Sequence, residues 1–237
     1  MPIDKRNRNS NLESMSAAGK VYTLLRHDII NFELKPGTLL KEKDIAERFS
    51  VSRTPIREAC LQLASENLLE IRPQSGTVVS HIKLSVLWDA YFVRRALESA
   101  AIRKLAKNVT SEQQATFKTL IDEQEFCMMK GMSERFAKLD EDLHNSIIDF
   151  AGHPNLCEVL DVQKAHIDRI RYLSIPSDEH ISNVFKEHVA IVDALIEKSP
   201  EKAELALDKH LSTLPGIVSA LVKEMPEYFV IDASEVT

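Results

Sequence analysis

One aspartate and three histidines in the second half of the chain are the side chains best suited to chemistry. Asp140 and His144 lie one helical turn apart, beside an apolar stripe of Phe136, Leu139, Leu143 and Ile147. His188 falls within a second stripe, Phe185, Val189, Val192 and Ile196, and His210 sits among Leu207, Leu211 and Leu214. The periodicity therefore aims four polar groups from three helices at one interior. Imidazole nitrogens with a carboxylate suit zinc, nickel, manganese or iron, and i, i+4 spacing puts two ligands on one helix face. The competing reading is a set of hydrogen-bonded core histidines. Several uncompensated polar groups in one helical core are costly, which favours a shared cation.

A second constellation lies near the N-terminus. The stretch Leu40–Leu63 reads as two short helices with a tight turn. The first covers about Glu42–Phe49, with Ile45, Ala46 and Phe49 inward; Ser50-Val51 makes the turn, and Ser52 is a good N-cap for the second helix. Pro55 stands in that helix's first turn, where a missing N–H costs little. Ile56, Cys60, Leu61, Leu63 and Ala64 give it an apolar side. Arg53 and Arg57 are one turn apart at its N-terminal end, where a helix-turn-helix presents side chains to base edges. Arginine forks match guanine N7 and O6, so these two are the candidates for base readout. Ser52 and Thr54, at the helix N-terminus, suit phosphate.

The flanking sequence supplies the elements that must hold these residues. Residues 1–15 are polar and aperiodic and read as a flexible tail, although Lys5, Arg6 and Arg8 could touch phosphates. Val21, Leu24, Leu25, Ile29 and Ile30 predict a helix over Ser16–Asn31, which Pro36-Gly37 separates from the helix-turn-helix. Leu69–Arg72 and Thr77–Ile82 flank a turn containing Gly76 and read as a β-hairpin. Helix, helix-turn-helix and hairpin in this order describe a winged helix over 16–82, and Gly76 at the wing tip would let backbone approach the minor groove. Residues 83–227 are helical almost throughout, with helices expected at about 85–107, 110–131, 133–151, 154–174, 178–198 and 200–225. Thr110 and Gln113 form a capping box, and Pro215-Gly216 is expected to kink the last helix. A C-terminal tail follows at 228–237. The fold class is mostly α: a winged helix-turn-helix plus an all-α bundle of six or seven helices.

Composition agrees with two domains. The chain has 237 residues, 44% hydrophobic and 28% charged, with only 6 glycines. Residues 1–82 hold 12 Lys+Arg against 10 Asp+Glu, whereas the remainder holds 18 against 26. A slightly basic head on an acidic body suits one part that meets DNA and one that stays off it. No apolar run reaches the roughly 18–20 residues needed to cross a bilayer, and no apolar core follows the basic N-terminus, so the expected location is cytoplasmic. Cys60, Cys127 and Cys157 are odd in number and widely spaced, which argues against disulfides or a zinc cluster. His27, His81, His153 and His180 read as surface or capping residues. His166, Arg169 and Arg171 could face the same interior as the four-residue cluster.

The string Pro36-Gly37 … Glu42-Lys43-Asp44-Ile45-Ala46 … Val51-Ser52-Arg53-Thr54-Pro55-Ile56-Arg57-Glu58-Ala59 resembles the DNA-binding domain of the GntR family of bacterial transcription regulators. Val93-Arg94-Arg95-Ala96-Leu97-Glu98, Asp140-x-x-x-His144, Glu187-His188-x-x-Ile191-x-x-Ala194-Leu195 and His210-Leu211 resemble the FCD effector domain of that family's FadR-type branch. The match covers about residues 16–225. The resemblance implies a homodimer on a near-palindromic operator, acting as a repressor, with Lys43 also near bases or phosphates. It implies one divalent metal per chain on Asp140, His144, His188 and His210, zinc or nickel before manganese or iron. It further implies a small organic acid, such as a sugar acid, at that metal, with Arg94 placed to fork a second carboxylate; a salt bridge to Glu98 is the other role open to Arg94. No catalytic residue is assigned, because the sequence offers no obvious nucleophile and no extra glutamate beside the cluster. The alternatives are a metal-dependent enzyme domain fused to a DNA-binding head, a regulator answering to metal alone, and a sensor of long-chain acyl-CoA, against which the retained metal set argues.

Overall fold

The computed structural model describes residues 15–73, 76–174 and 178–230. The tail cations Lys5, Arg6 and Arg8, the middle of the wing turn and Pro176 lie outside these residues. The chain divides into two units: one runs to Leu84 and resumes at Glu227, and the other is Ser85–Pro226.

In the first unit, helix α1 (Ala17–Ile30) starts where Ser16 Oγ accepts a 3.0 Å hydrogen bond from the Gly19 N–H. Helices α2 (Glu42–Phe49) and α3 (Arg53–Ser65) form the helix-turn-helix. Ser50 closes α2 in the left-handed conformation, φ +54°, and supplies the tight turn. Ser52 is extended, as an N-cap must be, but its side chain makes no capping hydrogen bond, which leaves its hydroxyl at the surface. The buried stripe of α3 is Ile56, Ala59, Cys60 and Leu63; Leu61, expected inward, is 62% exposed. A one-residue shift of the stripe turns Leu61 outward and Ala59 inward.

The wing strands β2 (Leu69–Arg72) and β3 (Gly76–Val79) are antiparallel, Leu69 facing Val79 and Arg72 facing Gly76. Strand β1 (Leu39–Leu40), absent from the sequence reading, takes the other edge of β3, giving the order β1-β3-β2. The expected strand 77–82 is in fact two: β3 ends at Val79, and Ile82–Lys83 forms β4, paired in parallel with β5 (Phe229–Val230). The stretch read as a C-terminal tail, 228–237, therefore begins with a strand seated on the first unit; buried Phe229 gives it an apolar anchor. Two-residue strands carry too little periodicity to be read from sequence.

The second unit consists of helices α4 (Leu84–Asn108), α5 (Ser111–Met129), α6 (Ser133–Phe150), α7 (Asn155–Ser174), α8 (Asp178–Ile196), α9 (Pro200–Leu211) and α10 (Leu214–Glu224). Ile102, Phe117, Leu143, Ile147, Ile191, Leu195 and Leu207 are fully buried in its core, with Phe117 edge-on to Phe150 at 5.5 Å. The expected kink at Pro215-Gly216 is a break instead. Helix α9 ends at Leu211, and α10 starts anew with Pro215 in its first turn, where the lacking N–H has no intrahelical partner to lose. On α8 the buried line runs through Ile181, His188, Ile191, Val192 and Leu195, while Phe185, Val189 and Ile196 are only half-buried. Among the described residues no helix is long and apolar enough to cross a membrane.

Thr110 and Gln113 form the full reciprocal box: Thr110 Oγ1 accepts from the Gln113 N–H at 3.2 Å, and Gln113 Oε1 accepts from the Thr110 N–H at 2.9 Å. Thr110→Ala should lower stability to urea by about 1 kcal/mol, whereas Thr110→Ser should cost a few tenths.

Candidate functional site

Asp140, His144, His188 and His210 do converge, all of them buried, with one donor atom from each lying within 4.8 Å of the others. Helix α6 sets Asp140 and His144 one turn apart, α8 brings His188 and α9 brings His210. The Nε2 atoms of His144 and His210 are 3.2 Å apart, and His188 Nε2 lies 3.3 Å from Asp140 Oδ1.

What faces the other way decides the chemistry. Each imidazole's Nδ1 meets an oxygen on another helix: His144 meets Glu98 Oε2 at 2.7 Å, His188 meets Gln124 Oε1 at 2.8 Å, and His210 meets Glu187 Oε2 at 2.8 Å. Gln124 Nε2 donates to the Leu139 carbonyl at 3.1 Å, which turns its amide oxygen toward His188. An oxygen acceptor behind each ring puts the proton on Nδ1 and leaves Nε2 as a lone pair. Burial pushes all three imidazoles below the usual histidine range; neighbouring rings and the Arg94 and Arg171 guanidiniums push His188 and His210 well below it. Burial therefore favours their neutral forms. Lone pairs of His144 and His210 thus face each other at buried positions, and His188 Nε2 is buried with no hydrogen-bond partner. Such an arrangement fits a cation among the four residues, since a shared positive charge is what converging lone pairs lack.

Gln124 and Glu187 escaped the sequence reading, and Glu98 entered it only as a partner for Arg94. Glu187 had a signal, standing next to His188 in the quoted motif. Gln124 had none beyond being polar on a helix, and its 0% exposure is what reveals it.

Beside the cluster lies a narrow cleft of about 10 Å³, room for roughly one water, walled by Arg94, Glu98, Glu141, His144, Lys164 and Arg171 among others. Of the two roles open to Arg94, the structure shows the salt bridge: its Nε donates to Glu98 Oε1 at 2.7 Å, and the residue also lines the cleft. Burial alone would raise the Glu98 carboxyl, but Arg94 and His144 outweigh burial and hold it far below the usual range. Arg171 pairs with Asp140, and Lys164 Nζ donates to Glu141 at 2.6 Å. Of the three α7 residues expected near this interior, Arg171 lines the cleft, whereas buried His166 and Arg169 are not among its walls.

On the first unit, Lys43, Ser52, Arg53, Thr54, Arg57 and Gly76 are all exposed. Arg57 forks Glu42 at the start of α2, through Nε at 2.8 Å and Nη2 at 3.3 Å, and Lys43 Nζ is 3.8 Å from Glu47. Exposed pairs of this kind are worth little and exchange readily for another anion. Gly76 has φ +92°, and a Cβ there would come within 3.0 Å of Leu39 Cδ1, so the junction of β1 and β3 itself requires glycine.

A winged helix-turn-helix carrying exposed arginines, fused to a helical unit with a polar core and a narrow cleft, defines a DNA-binding transcription regulator. Residues 17–79 match the bacterial regulatory proteins of the gntR family, and residues 89–213 match the FCD domain. The chain belongs to the GntR family and carries an FCD domain. It is 30% identical over 210 residues to the HTH-type transcriptional repressor RspR of Escherichia coli K12, spanning 89% of this chain and 92% of that one. It is 29% identical over 205 residues to a protein of Paenarthrobacter nicotinovorans described as "Probable D-xylose utilization operon transcriptional repressor", spanning 85% and 88%. The solved structure of E. coli McbR/YncC shares the fold, with a TM-score of 0.73 at 23% identity over 87% of this chain and 98% of that one. These families and relatives are regulators, not enzymes.

Removing Glu98 leaves the buried Arg94 and His144 facing each other without their shared acceptor. Glu98→Ala should therefore destabilise the protein by about 3–5 kcal/mol in chemical denaturation.

Proposed function

We propose that this regulator is a homodimeric repressor whose FCD domain holds one divalent metal on Asp140, His144, His188 and His210. Its operator binding then responds to a small carboxylate of the sugar-acid class that adds to the metal and widens the narrow cleft beside it. The observation that carries this reading is the set of three imidazoles fixed from behind by Glu98, Gln124 and Glu187, with their Nε2 atoms turned to one point. Bound zinc or nickel, with manganese or iron as the other candidates, would supply a fixed positive charge to which anionic oxygens can add. Arg94, Lys164 and Arg171 supply the cationic walls, and Arg94 offers the fork for a second carboxylate.

The head reads a near-palindromic operator in the major groove, one half-site per protomer. Arg53 and Arg57 contact base edges, Lys43, Ser52 and Thr54 contact phosphates or nearby bases, and Gly76 brings the wing close to the minor groove. Arg57 reaches guanine by leaving Glu42, whose exposed carboxylate is solvated as readily as it is paired. An effector with different affinity for two bundle arrangements shifts the population between them, and operator affinity changes by the coupling energy, about 1–3 kcal/mol.

Arg57→Ala should keep fold and assembly while losing about 1–3 kcal/mol of discrimination between operator and scrambled duplex at fixed salt. Undiminished discrimination removes Arg57 from the reading surface.

The sensor half is tested by calorimetric metal titration and a thermal-shift screen. Stripping with a chelator should lower Tm and re-adding zinc or nickel should restore it; saturation at a hundred times Kd corresponds to about 2.7 kcal/mol. Gln124→Leu should weaken metal binding about 10–100-fold by freeing the His188 ring. Hydroxy acids and sugar acids should raise Tm further only in the metal-loaded protein. A chain that binds metal but no acid is a sensor of metal alone.

A further inference from the structure

The chain passes between its two units twice, at Leu84–Ser85 and at Pro226–Glu227. Both passages are short. On the way out, β4 ends at Lys83 and α4 begins at Leu84 with no residue between. On the way back, α10 ends at Glu224, and after Met225 a single 3₁₀ turn, Pro226–Tyr228, leads into β5. Strand β5 then pairs with β4 itself, Phe229 opposite Ile82 and Val230 opposite Lys83. The returning segment is therefore laid on the linker by which the chain left. Both strands lie outside the stretches that match the two families, 17–79 and 89–213.

The ribbon is continuous in sequence with the wing and packs against the residue that follows the C-cap of α1. Ile82 is fully buried and Phe229 is 8% exposed, so the pair is anchored by apolar side chains as well as by its ladder. Ile82 follows β3, the central strand of the wing sheet, by two residues. The Tyr228 ring packs on Phe32 at 5.4 Å between centroids. Phe32 stands in the left-handed conformation, φ +55°, directly after the C-cap of α1. Helix α1 is tied to the far end of recognition helix α3, where Glu66 accepts from Tyr22 Oη at 2.6 Å and Arg26 Nε at 3.2 Å.

We propose that residues 226–230 are a strap that couples the bundle to the DNA-reading head. A single flexible linker would absorb a displacement of α10 in its own backbone freedom. A second short connection, paired with the first and packed on α1, removes that freedom and passes the displacement to the wing and the recognition helix. The strap is an output device for the metal- and ligand-sensing reading of the bundle and rests on it; its physical seating on β4 and α1 does not.

The test uses the full chain and two altered forms, Phe229→Ser and a chain ending at Pro226. Zinc and a chelator serve as the probe pair. Zinc binding is measured by calorimetry, operator affinity is measured with and without zinc, and amide exchange is followed by mass spectrometry. Both altered forms should bind zinc as the parent does. In the parent, zinc should change operator affinity at least about fivefold, as coupled sites commonly do. In the altered forms the change should fall to within about twofold, and exchange should rise at least tenfold in residues 29–32 and 78–84 with the bundle amides unchanged. A zinc effect of parental size in both altered forms overturns the strap, as does a parent that binds zinc without any change at the operator. Where the parent binds nickel, manganese or iron in place of zinc, that ion serves as the probe; a parent that binds none of the four overturns the metal reading instead. The strap is then judged on exchange alone, and unchanged protection at 29–32 and 78–84 in both altered forms overturns it.

Discussion

Three imidazoles buried in a helical core can be tolerated only if every ring nitrogen has somewhere to direct its proton or its lone pair. The Nδ1 contacts to Glu98, Gln124 and Glu187 meet half of that demand. Each joins two different helices: α6 to α4, α8 to α5, and α9 to α8. The same contacts that orient the rings therefore hold five helices in register. An ordinary apolar core of the same volume would be cheaper to bury, but it would not fix Nε2 of His144, His188 and His210 about one point. That fixed convergence is what allows a cation to complete the site rather than merely fill a gap.

The head follows the opposite rule. Arg57 and Lys43 hold exposed partners, Glu42 and Glu47, in pairs that water and salt weaken. A surface that must leave one anion for another gains from such weak attachment, because little is lost when the partner changes. On the proposed reading, polar groups in the bundle are held tightly because their geometry would serve the site, and those on the head are held loosely because exchange of partners would serve DNA binding.

Much of this was legible in the sequence. The 3.6-residue period placed the long helices, Ser52 to Arg57 marked the start of the recognition helix, and Asp140, His144, His188 and His210 could be brought to one interior from their places among leucines and isoleucines. The rest escaped for identifiable reasons. Gln124 and Glu98 act across helices, at sequence separations of 64 and 46 residues from the rings they hold. No local pattern encodes such a pairing. Strands β1, β4 and β5 are two residues each, below the length at which alternation is a signal. Proline at 215 was read as a kink because it falls late in an apolar, helix-like run. It instead starts α10, since a proline in a first turn costs nothing and the preceding Ser212-Thr213 lets the chain turn. Leu61 was misplaced by a single residue, which on a helix is 100° of rotation.

A cation taken up at the proposed centre on α6, α8 and α9 would affect the helices that carry the outer oxygens, because each ring is tied to a neighbouring helix by a hydrogen bond shorter than 2.9 Å. The core between them is close-packed and has little compressible space in which a shift could be lost. Helix α10 follows α9 after only Ser212 and Thr213, and His210 lies in the last turn of α9. A ligand of the proposed centre thus sits four residues from the helix whose far end leads to β5. Movement of that ring has a short covalent path out of the bundle, and the short passages at Leu84 and Pro226 leave little chain in which to dissipate it.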